Sequence, residues 1–121
     1  MKIRDARAKW AMSRAAAWCV GILMMAPMPA AAYDWMVEAY VTTLEPTYMP
    51  GWIAFQVDAA GGSCAAGAWL NYTAQGGTET AKQANAAAAF SVLLTAQTSH
   101  RHVRLYGFNS GCLIDHVHLI Q

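Results

Sequence analysis

Charge is scarce in this chain of 121 residues: Asp, Glu, Lys and Arg make up 12% of it, eight basic against seven acidic, for a formal net charge of +1. A dense basic surface able to track a polyphosphate backbone is therefore excluded. Cysteine is limited to Cys19, Cys64 and Cys112, and no Cys-x-x-Cys spacing occurs, which argues against a redox dithiol or a thiol-based metal pair. Gly-x-Ser-x-Gly, His-Glu-x-x-His and phosphate-binding-loop motifs are missing as well, and the acidic residues are scattered rather than paired, so the expectation is a protein that is not an enzyme and uses no cofactor. Asp115 and His116 are neighbours on an expected strand and should project from opposite faces, which removes them as a dyad. No internal repeat, low-complexity linker or second domain interrupts a length that suits one domain.

What charge there is lies unevenly. Lys2, Arg4, Arg7, Lys9 and Arg14 stand against a lone Asp5, an apolar run follows over 15–25, and Ala26-Pro27-Met28-Pro29-Ala30-Ala31-Ala32 comes next. A basic start, an apolar centre and small residues at Ala30 and Ala32 form the pattern of a secretory signal, so residues 1–32 are expected to be a signal peptide and 33–121 the working domain. The competing reading, a membrane anchor, needs roughly 18–20 spanning residues, more than this uninterrupted run supplies. Cys19 reads as part of the signal's apolar centre. After cleavage Lys82, Arg101 and Arg104 face Asp34, Glu38, Glu45, Asp58, Glu79 and Asp115, so the working domain carries −3. An exported protein, periplasmic or secreted, is expected, with a glycan or protein partner and neither nucleic acid nor membrane as its ligand. In an oxidising compartment the two remaining thiols should form a disulfide, Cys64 to Cys112.

The hydropathy pattern then sets out the elements. Over 35–43, Trp35, Val37, Ala39 and Val41 alternate with Met36, Glu38, Tyr40 and Thr42, the period of a half-buried strand. Pro46, Pro50 and Gly51 mark a loop, and over 52–58 Ile53, Phe55 and Val57 point inward on a second strand that completes a hairpin. Gly61-Gly62-Ser63 is a turn, and 68–73 reads as a short third strand. Past Gly76-Gly77 the segment 81–98 holds neither Gly nor Pro; Thr78 or Thr80 is a candidate cap, and Ala86, Ala89, Phe90, Leu93, Leu94 and Gln97 trace a helical stripe facing the sheet, with Lys82, Gln83 and Asn85 in water. Strands over 103–106 and 114–120 finish the chain. The expected fold class is mainly β with one helix, an OB-like five-stranded barrel in the order β-β-β-α-β-β, whose helix falls between the third and fourth strands. An open antiparallel sheet with a helix on one face satisfies the same periodicities.

The chain resembles the small secreted B subunits of AB-type bacterial toxins, in particular the subtilase-cytotoxin and pertussis-like group. The resemblance rests on the signal segment, the short first hairpin, Cys64 ahead of the Trp69 strand, the helix end Leu93-Leu94-Thr95-Ala96-Gln97-Thr98-Ser99, and Val103-Arg104-Leu105-Tyr106 before Cys112. It implies an OB fold, a homo-oligomeric ring and recognition of cell-surface glycans, and it assigns no sugar-contacting residue to this sequence.

Two groups of residues carry candidate chemistry. Trp52 and Trp69 fall off the inward pattern of Ile53, Phe55, Leu70 and Tyr72, and aromatic faces on the second and third strands of an OB barrel suit stacking on a ligand; the alternative is that they cover a helix or a subunit contact. His102, His116 and His118, with Arg104 nearby, would form a metal or anion site if the last two strands pair as a hairpin; the alternative is solvent-facing strand residues. Asn71-Tyr72-Thr73 is a glycosylation sequon.

Overall fold

The computed structural model describes residues 33–121. The segment read as a signal peptide, with Cys19, lies outside the described residues. The described residues fold as five strands and one helix: β1 (Trp35–Glu45), β2 (Trp52–Val57), β3 (Leu70–Thr73), α1 (Glu79–Ser99), β4 (His102–Gly107) and β5 (Leu113–Leu119), with a short 3-10 turn at Ser110–Cys112 ahead of β5. It is mainly β with one helix, as the periodicities lead one to expect.

β1 is the longest strand and serves two neighbours. Its first half, Trp35 to Tyr40, pairs antiparallel with β4, and its second half, from Val41 to Glu45, pairs antiparallel with β2. The change of partner coincides with a register shift between Val41 and Thr43, an irregularity of the kind that bends a strand and sharpens its twist. β2 continues antiparallel to β3, β3 meets β5 in a short parallel pairing at Asn71 and Tyr72, and β5 runs antiparallel to β4. The strands thus close in the cyclic order β1-β2-β3-β5-β4.

Alternation decides what fills this ring. Trp35, Ala39, Val41, Ile53, Phe55, Val57, Leu70, Tyr72, Val103, Leu105 and Ile114 point inward, and Ile53, Phe55, Val103 and Leu105 are wholly buried. One end is stoppered by Trp35. Its indole lies against Gly61, Gly62 and Gly107, where a Cβ at any of the three would overlap the ring. Its Nε1 is buried without a hydrogen-bond partner, the one such side-chain atom among the described residues. The disulfide Cys64–Cys112 ties the same region to the turn before β5, with Cα atoms 5.9 Å apart.

α1 packs mainly on β1 and β5. Thr78 caps its start, its hydroxyl accepting from Ala81 N at 3.1 Å, and His100 ends it in the left-handed conformation (φ 53°), donating its backbone N–H to Ala96 O. The buried positions are Ala86, Ala89, Leu93 and Ala96. Three sequence expectations need correction here. Leu94 is 41% exposed; at 100° per residue it turns away from Leu93, and Ala96, three residues on, takes the inward place instead. Asn85 is not a solvated polar residue: half-buried, it accepts from Tyr72 Oη at 2.9 Å and from Gln75 N at 2.8 Å, fastening the helix to the end of β3. β3 is also shorter than expected and begins at Leu70, so Trp69 stands just ahead of it.

Candidate functional site

The residues singled out on β2 and β3 meet in one place. Trp52 opens β2 directly after the loop 46–51, which is pinned by Met49 N to Pro46 O (3.0 Å) and Gly51 N to Tyr48 O (3.0 Å) and contains a cis Met49–Pro50 bond. That loop folds the Tyr48 ring onto Trp52 with centroids 4.7 Å apart and planes 13° from parallel. Trp69 arrives from the opposite side, off a turn held by Ala68 N to Ala65 O (3.0 Å), Gly67 N to Val57 O (2.9 Å) and Gln56 Nε2 to Gly67 O (2.8 Å). Between the aromatics the register lines up Glu45 of β1 with Ala54 of β2, and Ala54 with Asn71 of β3. The small Ala54 side chain forms the floor, and an open cleft of ≈ 350 Å³ results, lined by Glu45, Tyr48, Trp52, Ala54, Trp69 and Asn71. Its size is near the lower end of small-molecule sites, about 300–1,000 Å³. Trp52, Trp69 and Tyr48 remain 42%, 48% and 51% exposed, so each keeps aromatic surface open to a ligand beyond the face that Tyr48 and Trp52 cover on one another.

The polar groups at this cleft are few and distinct. Glu45 Oε1 accepts from Thr47 N at 3.0 Å. Hydrogen bonds from the Thr47 side chain and then its backbone lower the Glu45 pKa, so the carboxylate is fixed as an acceptor and remains charged. Asn71 offers both an amide donor and a carbonyl acceptor. The sequon at this position places Asn71 half-buried against the cleft, with Tyr72 buried beside it.

The histidines lie elsewhere, on the outer face of β1, β4 and β5. His100 and His102 sandwich the Tyr40 ring, with centroids 4.4 Å and 3.9 Å from it. Arg104 follows on β4, bonded to Glu38 Oε1 through Nε at 2.9 Å and Nη2 at 2.6 Å, contacts that with Tyr106 raise its already high pKa. Opposite, Arg104 pairs with His118 and Tyr106 with His116. A second cleft of ≈ 250 Å³ opens there between Tyr33, Tyr106, His116 and His118. The three-histidine set expected from the sequence is therefore split, since the His102 ring stacks on Tyr40 while His116 and His118 line the second cleft. Among the described residues no group of three His, Cys, Asp or Glu is placed to hold a metal ion.

Asp115 corrects another expectation. Its Oδ2 lies 2.7 Å from His116 Nδ1, although adjacent strand residues ordinarily face opposite ways. The reason is a register shift: Tyr106 pairs with His116 but Gly107 pairs with Ile114, leaving Asp115 as an extra residue whose side chain is free to swing to the His116 side.

Tyr48, Glu45, Tyr33 and Tyr106 are not candidate site residues in the sequence reading, and Asn71 enters it only as part of a sequon. Only the register and the two loops bring them to the tryptophans and histidines, and neither is written in local periodicity. Comparison with known proteins gives no match: no family model, no curated protein and no solved structure matches this chain. Among the described residues no helix is long and apolar enough to cross a membrane.

Proposed function

We propose that residues 33–121 form an exported, non-catalytic OB-like binding module, and that the cleft between Trp52 and Trp69 takes a neutral sugar ring of a glycan. The observation that carries this reading is the convergence of Tyr48, Trp52 and Trp69 around the Glu45–Ala54–Asn71 row. Flat aromatic faces stack on the C–H faces of a pyranose, while a carboxylate and an amide between them suit hydroxyl groups. Position supports it too: the strand two to three face and the adjoining first loop are where OB barrels bind oligosaccharides and oligonucleotides. The Glu45 carboxylate and the −3 charge of the working domain oppose a phosphate backbone, which favours sugar over nucleic acid.

Export is part of the reading, supported by the Cys64–Cys112 disulfide and by the basic, then apolar, then small-residue start of the sequence. So is kinship with the ring-forming toxin B subunits, which light scattering of the purified domain tests directly: a ring supports it, a strict monomer opposes it. For the ligand, the deciding experiment is a glycan array probed with the disulfide-intact domain and with Trp52→Ala and Trp69→Ala. An aromatic stacking contact is worth about 1–3 kcal/mol, so each variant should weaken binding roughly 5- to 150-fold. Wild-type protein that ignores every glycan, or variants that bind as wild type does, would overturn the proposal.

A further inference from the structure

All four histidines of the sequence stand on one outer face, which shares no lining residue with the Trp52–Trp69 cleft. They divide by what their rings touch. His100 and His102 are stacked on Tyr40, whereas His116 and His118, separated by Val117, leave the same side of β5 into the cleft shared with Tyr33 and Tyr106. The His116 and His118 ring centres are 6.2 Å apart, with planes 82° from parallel. At a metal–nitrogen distance of about 2.0–2.1 Å, each imidazole centre sits about 3.2 Å from a bound ion, so two rings sharing one ion are separated by up to about 6.4 Å. The observed spacing lies inside that limit and corresponds to an N–metal–N angle of about 150°, so the two exposed rings need to close by roughly 1–2 Å to ligate at about 90–110°.

Asp115 supplies the second, independent observation. Its carboxylate oxygen lies 2.7 Å from His116 Nδ1, close enough to leave Nε2 as the nitrogen available to a ligand. Carboxylates placed behind an imidazole in this way fix its tautomer and orientation and raise its basicity as a ligand. Here the carboxylate reaches that position only because of the extra residue in β5.

We propose that His116 and His118 bind a divalent transition-metal ion from the late first row, Cu(II) in preference to Ni(II) or Zn(II), with Asp115 as a positioning residue. Imidazole suits all three ions, and the general affinity order places Cu(II) highest. With two protein ligands the remaining positions belong to water, so the metal exchanges readily and the Tyr33–Tyr106 side of the cleft stays open to a further donor. The proposal is independent of the sugar cleft.

The test titrates Cu(II), Ni(II) and Zn(II) separately into the disulfide-intact domain by calorimetry, with electron paramagnetic resonance on the Cu(II) form. A single equivalent of Cu(II) should bind, more tightly than the other two ions, with a spectrum showing two imidazole nitrogens. His116→Ala and His118→Ala should each lower affinity at least tenfold and lose one nitrogen from the spectrum, while His102→Ala and Trp52→Ala leave both unchanged. Asp115→Asn should weaken Cu(II) about tenfold and shift the pH midpoint of binding, which a purely structural carboxylate would not do. Unchanged near-ultraviolet dichroism of the metal-free variants separates ligand loss from misfolding. Absence of Cu(II) binding, or full binding by a folded His116→Ala, His118→Ala double variant, would overturn the proposal.

Discussion

Replacing Gly107 with alanine is expected to dislodge the tryptophan that closes one end of the ring. A Cβ at Gly107 would stand 2.5 Å from Trp35 Cζ2, 2.6 Å from Cη2 and 2.9 Å from the Leu113 carbonyl oxygen. Carbon atoms rest about 3.5–4.0 Å apart, so the indole must retreat by about 1 Å. It has nowhere to go, because Gly61 and Gly62 meet it elsewhere on the ring with equally little room. The Leu113 carbonyl cannot yield easily either, since it accepts from Phe108 N at 2.8 Å. Overpacking of this kind costs about 1–3 kcal/mol, and a site confined on several sides belongs in the upper half of that range. For a domain of this length each kcal/mol moves Tm by roughly 4–8 °C, so a drop of about 8–24 °C is expected in thermal unfolding followed by tryptophan emission with the disulfide intact. Gly107 lies outside the left-handed region, so the loss is steric, and combining Gly107→Ala with Trp35→Leu should lose less than the sum of the two single changes. Gly77→Ala, whose Cβ meets open space at ordinary backbone angles, serves as the control and should stay within about 0.5 kcal/mol of wild type. A Gly107→Ala protein as stable as that control, or strict additivity with Trp35→Leu, would refute the stopper.

Removing the disulfide with Cys64→Ala and Cys112→Ala opens a loop of sequence separation 48 and should cost about 4 kcal/mol in urea unfolding; a loss below about 1 kcal/mol would show that the link constrains little. Glu45, whose folded pKa is lowered by Thr47, contributes stability that is present above its unfolded pKa and lost as pH falls through the folded value. In a carboxyl-carbon nuclear magnetic resonance titration Glu45 should therefore titrate below an ordinary glutamate, and Thr47→Ala should return it only part of the way because the backbone N–H bond remains. An unshifted Glu45 would contradict that arrangement.

Much of the fold was legible because burial in β1, β2 and β4 largely follows alternation, with the buried Ala54 and the half-buried Val37 as departures. Trp35, Ala39 and Val41, then Ile53, Phe55 and Val57, read as inward positions and are buried. Thr78 and the absence of Gly and Pro over 81–98 likewise marked the helix. What periodicity could not reveal was anything set by an irregularity or a long-range register. The extra residue at Asp115 reverses the face expected of its side chain, and the shift in β1 lets one strand pair with two partners. The candidate site shows the same division. Trp52 and Trp69 stood out as aromatics off the buried pattern, but their meeting with Glu45 and Asn71 depends on a three-strand row linking residues far apart in sequence. His102 joins His116 and His118 in the sequence reading through the expected pairing of the last two strands; that pairing forms, but the His102 ring stacks on Tyr40 instead of meeting them.

The most direct measurement of the central claim follows the tryptophan indole N–H resonances of the domain while the strongest glycan from the array is added. Residues 33–121 contain Trp35, Trp52 and Trp69. The expected result is a saturable shift of the Trp52 and Trp69 signals with Trp35, buried at the stoppered end, left in place. A glycan that binds while Trp52 and Trp69 stay unmoved would contradict a sugar site in the aromatic cleft.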